Sequence, residues 1–325
     1  MGMANCALIC NKAKKSVNSS NALRLALALA GLMVLLPTTD TAAQSLLGDK
    51  HWNHGSANCA ANSDPAIEIY MFSPTSFILR QNKCLSYEAP FMYVLVGDER
   101  ALLLDTGATK NASDFPLYES VRSLIGDKPL LVVHSHGHRD HRSADIQFQD
   151  SEGVTLVGIH KAALINQLSI SHWPEGQGLI DLGNRELIVI PSPGHQEGAI
   201  SLYDPQTQWL LTGDTVYPGL IYVKNWSDYR DSIARLARFA DKHEVSAVLG
   251  AHIEASHRPG EYYAVGTTYQ PDEAPLPMEP DILAMIDAEL QQLPKANEIE
   301  LARLRIVPMN LMQRTLSNFG SWLNQ

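Results

Sequence analysis

His136, His138, Asp140 and His141 fall within six consecutive positions and spell H-x-H-x-D-H. Imidazole nitrogens and carboxylate oxygens are the donors that suit zinc and its first-row neighbours. A His-rich turn can also be plain solvated surface or an adventitious metal trap, so residues elsewhere must decide. Three do. Glu186–Ile190 leads through Pro191, Ser192, Pro193 and Gly194 to His195. Trp209–Gly213 leads to Asp214, and Ser246–Ala251 leads to His252. A lone His beyond a strand is ordinarily a satisfied polar residue. Seven metal-competent residues, each placed just past an apolar run, point instead to a metal centre.

Positioning such residues is a job for strand ends. Leu130–Val133 is a short apolar run of the kind a buried parallel strand shows, and the H-x-H-x-D-H loop leaves its C-terminal end. Open α/β sheets place their chemistry at that edge. Gly194, Gly213 and Gly250 provide turns that swing a side chain over a strand end. The pattern predicts strands over 66–72, 76–80, 91–96, 101–105, 130–133, 153–159, 186–190, 199–204, 208–212 and 245–250. It predicts helices over 113–125, over 227–242 with Ser227 as N-cap, and near 281–293.

The ligand order, with "PGH" at 193–195 and "TGDT" around Asp214, resembles the metallo-β-lactamase superfamily across roughly residues 66–260. The resemblance implies an α/β fold, a four-layer αββα sandwich. It implies that His136, His138 and His195 hold one metal and Asp140, His141 and His252 another, with Asp214 bridging. Two Zn2+ per chain are expected, iron or manganese being the other divalent options. Asp105, in Leu104-Asp105-Thr106-Gly107, is similar to a buried Asp that orients a metal-bound His; residue chemistry alone also allows an Asp capping its own turn. Two ions sharing a water make hydroxide available at neutral pH, so hydrolysis of a small-molecule ester, lactone, thioester or amide is expected, without an organic cofactor. Asp140 would ligate and orient the nucleophile. Tyr217, three residues past Asp214 as in N-acyl homoserine lactonases, would donate its hydroxyl to the substrate carbonyl; packing beside the metal loop is the competing reading.

Departures narrow the class. Asp214 stands where dedicated β-lactamases carry Cys or Ser, His138 stands where flavin-linked di-iron members carry Glu, and the stretch after Asp214 lacks the Cys-Gly-Arg run of glyoxalase II. A mononuclear iron persulfide dioxygenase-like enzyme and a non-catalytic metal-binding module are the alternatives. Around the centre, His172–Gly176 reads as a covering loop or ordinary surface. Tyr222, Lys224 and Trp226 read as pocket lining or packing, His134 as part of the strand end, and Glu254, two residues past His252, as a solvated carboxylate or a support behind the metal ligands.

Residues 1–43 read as a signal peptide: Lys12, Lys14, Lys15 and Arg24 precede an apolar stretch of 12 residues, Leu25–Leu36, and small residues precede Gln44. An uncleaved anchor helix is the alternative, disfavoured by length. Periplasmic or secreted placement follows, with cleavage near Ala43-Gln44 and no stable membrane anchor. Removing four basic residues and one acidic residue leaves 21 Lys+Arg against 34 Asp+Glu, a net charge of −13. Nucleic acid is excluded as substrate, because phosphate binding needs clustered cations; a small molecule is expected, and the oligomeric state is left open. Cys59 and Cys84 remain, read as one disulfide or as two buried thiols. Residues 44–65 are expected to be irregular, 66–265 the metallo-β-lactamase-fold domain, and 266–325 a C-terminal appendage packed on the same domain.

Overall fold

The computed structural model describes residues 47–293 and 295–315. Every described residue falls within one compact unit. The expected signal peptide and its cleavage site lie outside the described residues. Among the described residues no helix is long and apolar enough to cross a membrane.

Two six-stranded sheets carry the architecture. The first runs β1 (Ile67–Ser73), β2 (Ser76–Gln81), β3 (Phe91–Val96), β4 (Ala101–Leu104), β5 (Leu130–Val133) and β6 (Val154–Leu156) in spatial order. It is antiparallel through β4, then parallel from β4 to β6. The second comprises β7 (Gly178–Asp181), β8 (Glu186–Pro191), β9 (Ile200–Asp204), β10 (Trp209–Gly213), β12 (Ala247–Gly250) and β13 (Pro277–Met278), ordered β13-β12-β10-β9-β8-β7.

Alternation along the strands shows how the layers stack. Leu102, Leu104, Leu131 and Val133 point into one core with Leu187, Val189, Leu202 and Leu211 of the other sheet. Their neighbours Leu103 and Val132 face the opposite way, against Leu117, Val121 and Ile125 of α1 (Leu117–Ile125). On the far side of the second sheet, Ile190, Leu210 and Val248 pack on Ile233 and Leu236 of α3 (Trp226–Ala240) and on Leu283 and Ile286 of α4 (Asp281–Gln292). Helix, sheet, sheet, helix: the four-layer αββα sandwich is the fold, and central strands such as β3, β4, β5 and β10 are buried on both faces because both are covered.

Local readings differ in instructive ways. α1 starts at Leu117 rather than 113, because Asn111 folds the preceding residues into a turn by accepting from Phe115 N at 2.9 Å. α3 is capped by Asn225, whose side chain accepts from Asp228 N, and not by Ser227. α2 (Lys161–Gln167) and β11 (Leu220–Val223) were not expected. Residues beyond 266 contribute β13 to the second sheet and β15 (Leu304–Pro308), which pairs in parallel with β11 and antiparallel with β14 (Ile299–Leu301). The Cys59 and Cys84 pair forms a disulfide.

Candidate metal centre

All seven residues leave the C-terminal ends of strands, β5, β8, β10 and β12, and converge at one end of the sandwich. They fall into two groups of four donors. His136 Nε2 lies 2.9 Å from His138 Nδ1 and 3.6 Å from Asp214 Oδ2. His195 Nε2 lies 3.0 Å from His138 Nδ1 and 3.5 Å from Asp214 Oδ2. In the other group, Asp140 Oδ2 is 3.2 Å from His141 Nε2 and 3.4 Å from His252 Nε2. Asp214 Oδ1 is 3.4 Å and 3.3 Å from the same two nitrogens. Asp214 therefore offers one oxygen to each group.

These spacings suit a cation. Donors about 2.0–2.1 Å from a tetrahedral ion stand roughly 3.3 Å apart, within the 2.9–3.6 Å span of these separations. Asp214 Oδ1 is buried and has no hydrogen-bond partner, a costly condition for a carboxylate oxygen that a cation would relieve. The donor set, nitrogen and oxygen without thiolate, fits a divalent first-row metal.

Backbone and neighbouring side chains fix three of the five rings. His141 Nδ1 is 2.9 Å from Asp105 Oδ2, His195 Nδ1 is 2.7 Å from Tyr222 O, and His252 Nδ1 is 3.0 Å from Glu88 O. Each contact ties up Nδ1 and turns Nε2 towards the cluster. Asp105, at φ +65°, also accepts from Ser135 N at 2.7 Å and Ser135 Oγ at 2.8 Å. Those bonds hold a left-handed backbone that an Asp seldom adopts. Gly194 sits at φ +144°, and a Cβ there would come within 2.5 Å of Tyr229 Cα, so only glycine admits the turn that presents His195.

Electrostatics divide the groups. Burial, with the imidazoles of His195 and His141, pushes His138 down to about 3 despite nearby carboxylates. Burial likewise holds His136 well below its usual range, with His141 adding to the effect. Burial would raise Asp214, yet the imidazoles of His141, His252 and His136 outweigh it and keep the carboxylate ionised. Burial would lower His141, but Asp140, Asp214 and Asp105 reverse that and hold it well above its usual value. The Asp140 group is thus the more proton-competitive of the two.

Four residues or segments that read two ways take definite places. The Tyr217 hydroxyl is directed to the chain itself, donating to Leu220 O at 2.5 Å, with Glu254 Oε2 at 3.3 Å. Its single proton is committed there, so it is not presented as a donor to a substrate carbonyl. Glu254 is a buried support rather than a solvated carboxylate: it accepts from Leu220 N at 2.9 Å, and burial raises its pKa. Its place two residues past His252 was the only sequence signal. His172–Gly176 is more than surface: Trp173 and Pro174, with Lys161, Gln196 and Lys224, line a cavity of about 420 Å3 against the Gly194 turn. Trp226 is instead buried, its Nε1 3.4 Å from Leu293 O.

Residues 88–252, half of the chain, match the family described as the metallo-beta-lactamase superfamily. The Bos taurus protein named acyl-coenzyme A thioesterase MBLAC2 is 28% identical over 202 residues, covering 50% of this chain and 72% of that protein. A hydroxyacylglutathione hydrolase of Chelativorans sp. is 32% identical over 116 residues, 35% of this chain and 45% of that protein. A solved metallo-beta-lactamase from Pontibacter korlensis aligns with a TM-score of 0.48 at 19% identity, covering 70% of this chain and 100% of that one. The chain belongs to the metallo-beta-lactamase superfamily and is a hydrolase built on its fold.

Proposed function

We propose that this chain is an exported binuclear zinc hydrolase that cleaves the acyl bond of a small-molecule ester or thioester. The observation that carries the reading is Asp214, one carboxylate giving one oxygen to each of two complete donor groups. When bound, two zinc ions in these groups would supply Lewis acidity and a hydroxide nucleophile at neutral pH.

The residues do the rest. Asp140, with a side chain 21% exposed, is the most accessible carboxylate of the set and is available to orient the attacking water. His136 and His138 are held as neutral donors by burial, which favours metal binding over protonation. The cavity walled by Trp173 and Lys224 adjoins His195 and gives the substrate an approach. A thioester is favoured within the class by the relative named as an acyl-coenzyme A thioesterase. Export is supported by the basic, then apolar, leader and by the Cys59–Cys84 disulfide, which suits an oxidising compartment.

The test is turnover of a chromogenic panel of thioesters, esters, lactones and cephalosporins by the zinc-loaded protein, beside its Asp214→Asn variant. Thioester or ester cleavage that falls at least about a hundredfold in the variant is expected. A panel left uncleaved at full zinc loading overturns the reading.

A further inference from the structure

His134 opens the histidine run yet joins neither donor group. It is buried, 2% exposed, and its Nε2 lies 2.8 Å from Asp145 Oδ1. Its other ring nitrogen, Nδ1, is buried without a hydrogen-bond partner. The same Asp145 oxygen accepts from Thr106 Oγ1 at 2.7 Å. Asp145 thus gathers two donors from the exits of two strands, Thr106 just past β4 and His134 just past β5.

We infer that His134 and Asp145 are a positioning pair that sets the loop bearing Asp140 and His141, and so governs affinity for the second of the two ions. The inference rests on the binuclear reading above. Residues 139–147 form short 3-10 turns closed by 3.2 Å bonds such as Asp145 N to Arg142 O. Short turns of this kind hold no shape by themselves. What fixes them is anchorage to the β4 exit, where Thr106 N donates to His141 O at 2.7 Å and Ser143 N to Gly107 O at 2.9 Å. The Asp145–His134 contact adds the tie to β5 at the far end.

His136 and His138 do not depend on that tie. Ser135 between them and β5 is held by Asp105 Oδ1 at 2.7 Å and by Ile200 N donating to Ser135 O at 2.8 Å. Loosening Asp145 should therefore displace Asp140 and His141 while His136, His138 and His195 stay in place. Outer partners of metal ligands typically govern 10–100-fold in affinity.

The experiment is zinc affinity measured by competition with a chromophoric chelator, on wild type, His134→Leu and His134→Gln. His252→Ala, which removes a donor from the Asp140 group alone, identifies which zinc is which. Gln carries an amide nitrogen near the Nε2 position and keeps the donor. The expected result is a 10–100-fold weaker second zinc in His134→Leu, a first zinc within about threefold of wild type, and recovery in His134→Gln. Equal weakening of both zincs, no change in either, or Gln behaving as Leu overturns the inference. Should His134→Leu not fold, Asp145→Ala against Asp145→Asn poses the same question, because Asn retains the accepting oxygen. A wild type that binds one zinc overturns the binuclear reading and the inference together; two zincs in wild type with no effect of the variants overturn the inference alone.

Discussion

Asp214 concentrates the chemistry of this molecule in one side chain, and its neighbours show how far residue types alone could locate the site. The seven donors were legible because each follows an apolar run and five carry imidazole. Tyr217 was legible as a nearby hydroxyl but not as a spent one. The direction of its ring depends on Gly250, where a Cβ would come within 2.3 Å of Tyr217 Cβ, and on Leu220 accepting its proton, neither of which spacing reveals. Tyr217→Phe is accordingly expected to keep kcat within about threefold. It should lose about 1 kcal/mol of stability, the net worth of one buried hydrogen bond. A hundredfold fall in kcat at unchanged stability, in paired kinetics and urea denaturation, would return Tyr217 to the reaction.

Strands were read best where they end in glycine beside a ligand and worst where they are short and bridge distant segments. β10 and β12 announced themselves by apolar runs closing on Gly213 and Gly250. β11 has four residues and pairs with β15, more than eighty positions later, so its pairing exists only once the chain has folded. Asn225 displaced Ser227 as cap because Asn225 N and Lys224 N both donate to Gly194 O, which fixes where α3 can begin. The His195 turn and the α3 start are thus one structure. Another element with a measurable role is the loop of residues 82–90, pinned by Cys59–Cys84 and carrying the Glu88 carbonyl that holds His252. Replacing both cysteines by serine frees a loop of sequence separation 25 and should cost about 3 kcal/mol. Denaturant midpoints of the oxidised protein and the double variant check this; coincident curves would show that the bridge contributes nothing.

Among the described residues the sandwich is covered on both sides, and its buried cations stand against carboxylates. Arg80 reaches Glu273 with both terminal nitrogens at 2.6 Å, and Lys83 lies 3.9 Å from the same carboxylate. Burial first, then Arg80, brings Lys83 down from 10.5 to about 8. The unfolded chain therefore binds more protons through that interval, and stability contributed by this group rises with pH from about 8 towards 10.5. Lys83→Met should remove the rise, so that the advantage of the variant over wild type shrinks by about 2 kcal/mol between roughly pH 7 and pH 10. Parallel stability curves for the two proteins over that range would contradict it.

We propose that one end of the sandwich is built for two metal ions sharing Asp214. Elemental mass spectrometry of the purified chain, after reconstitution with zinc and removal of excess, tests it most directly. Close to two zinc ions per chain are expected, falling in His252→Ala to one, since that variant leaves His136, His138, His195 and Asp214 whole. One ion per chain in the wild type, unchanged by His252→Ala, would contradict it.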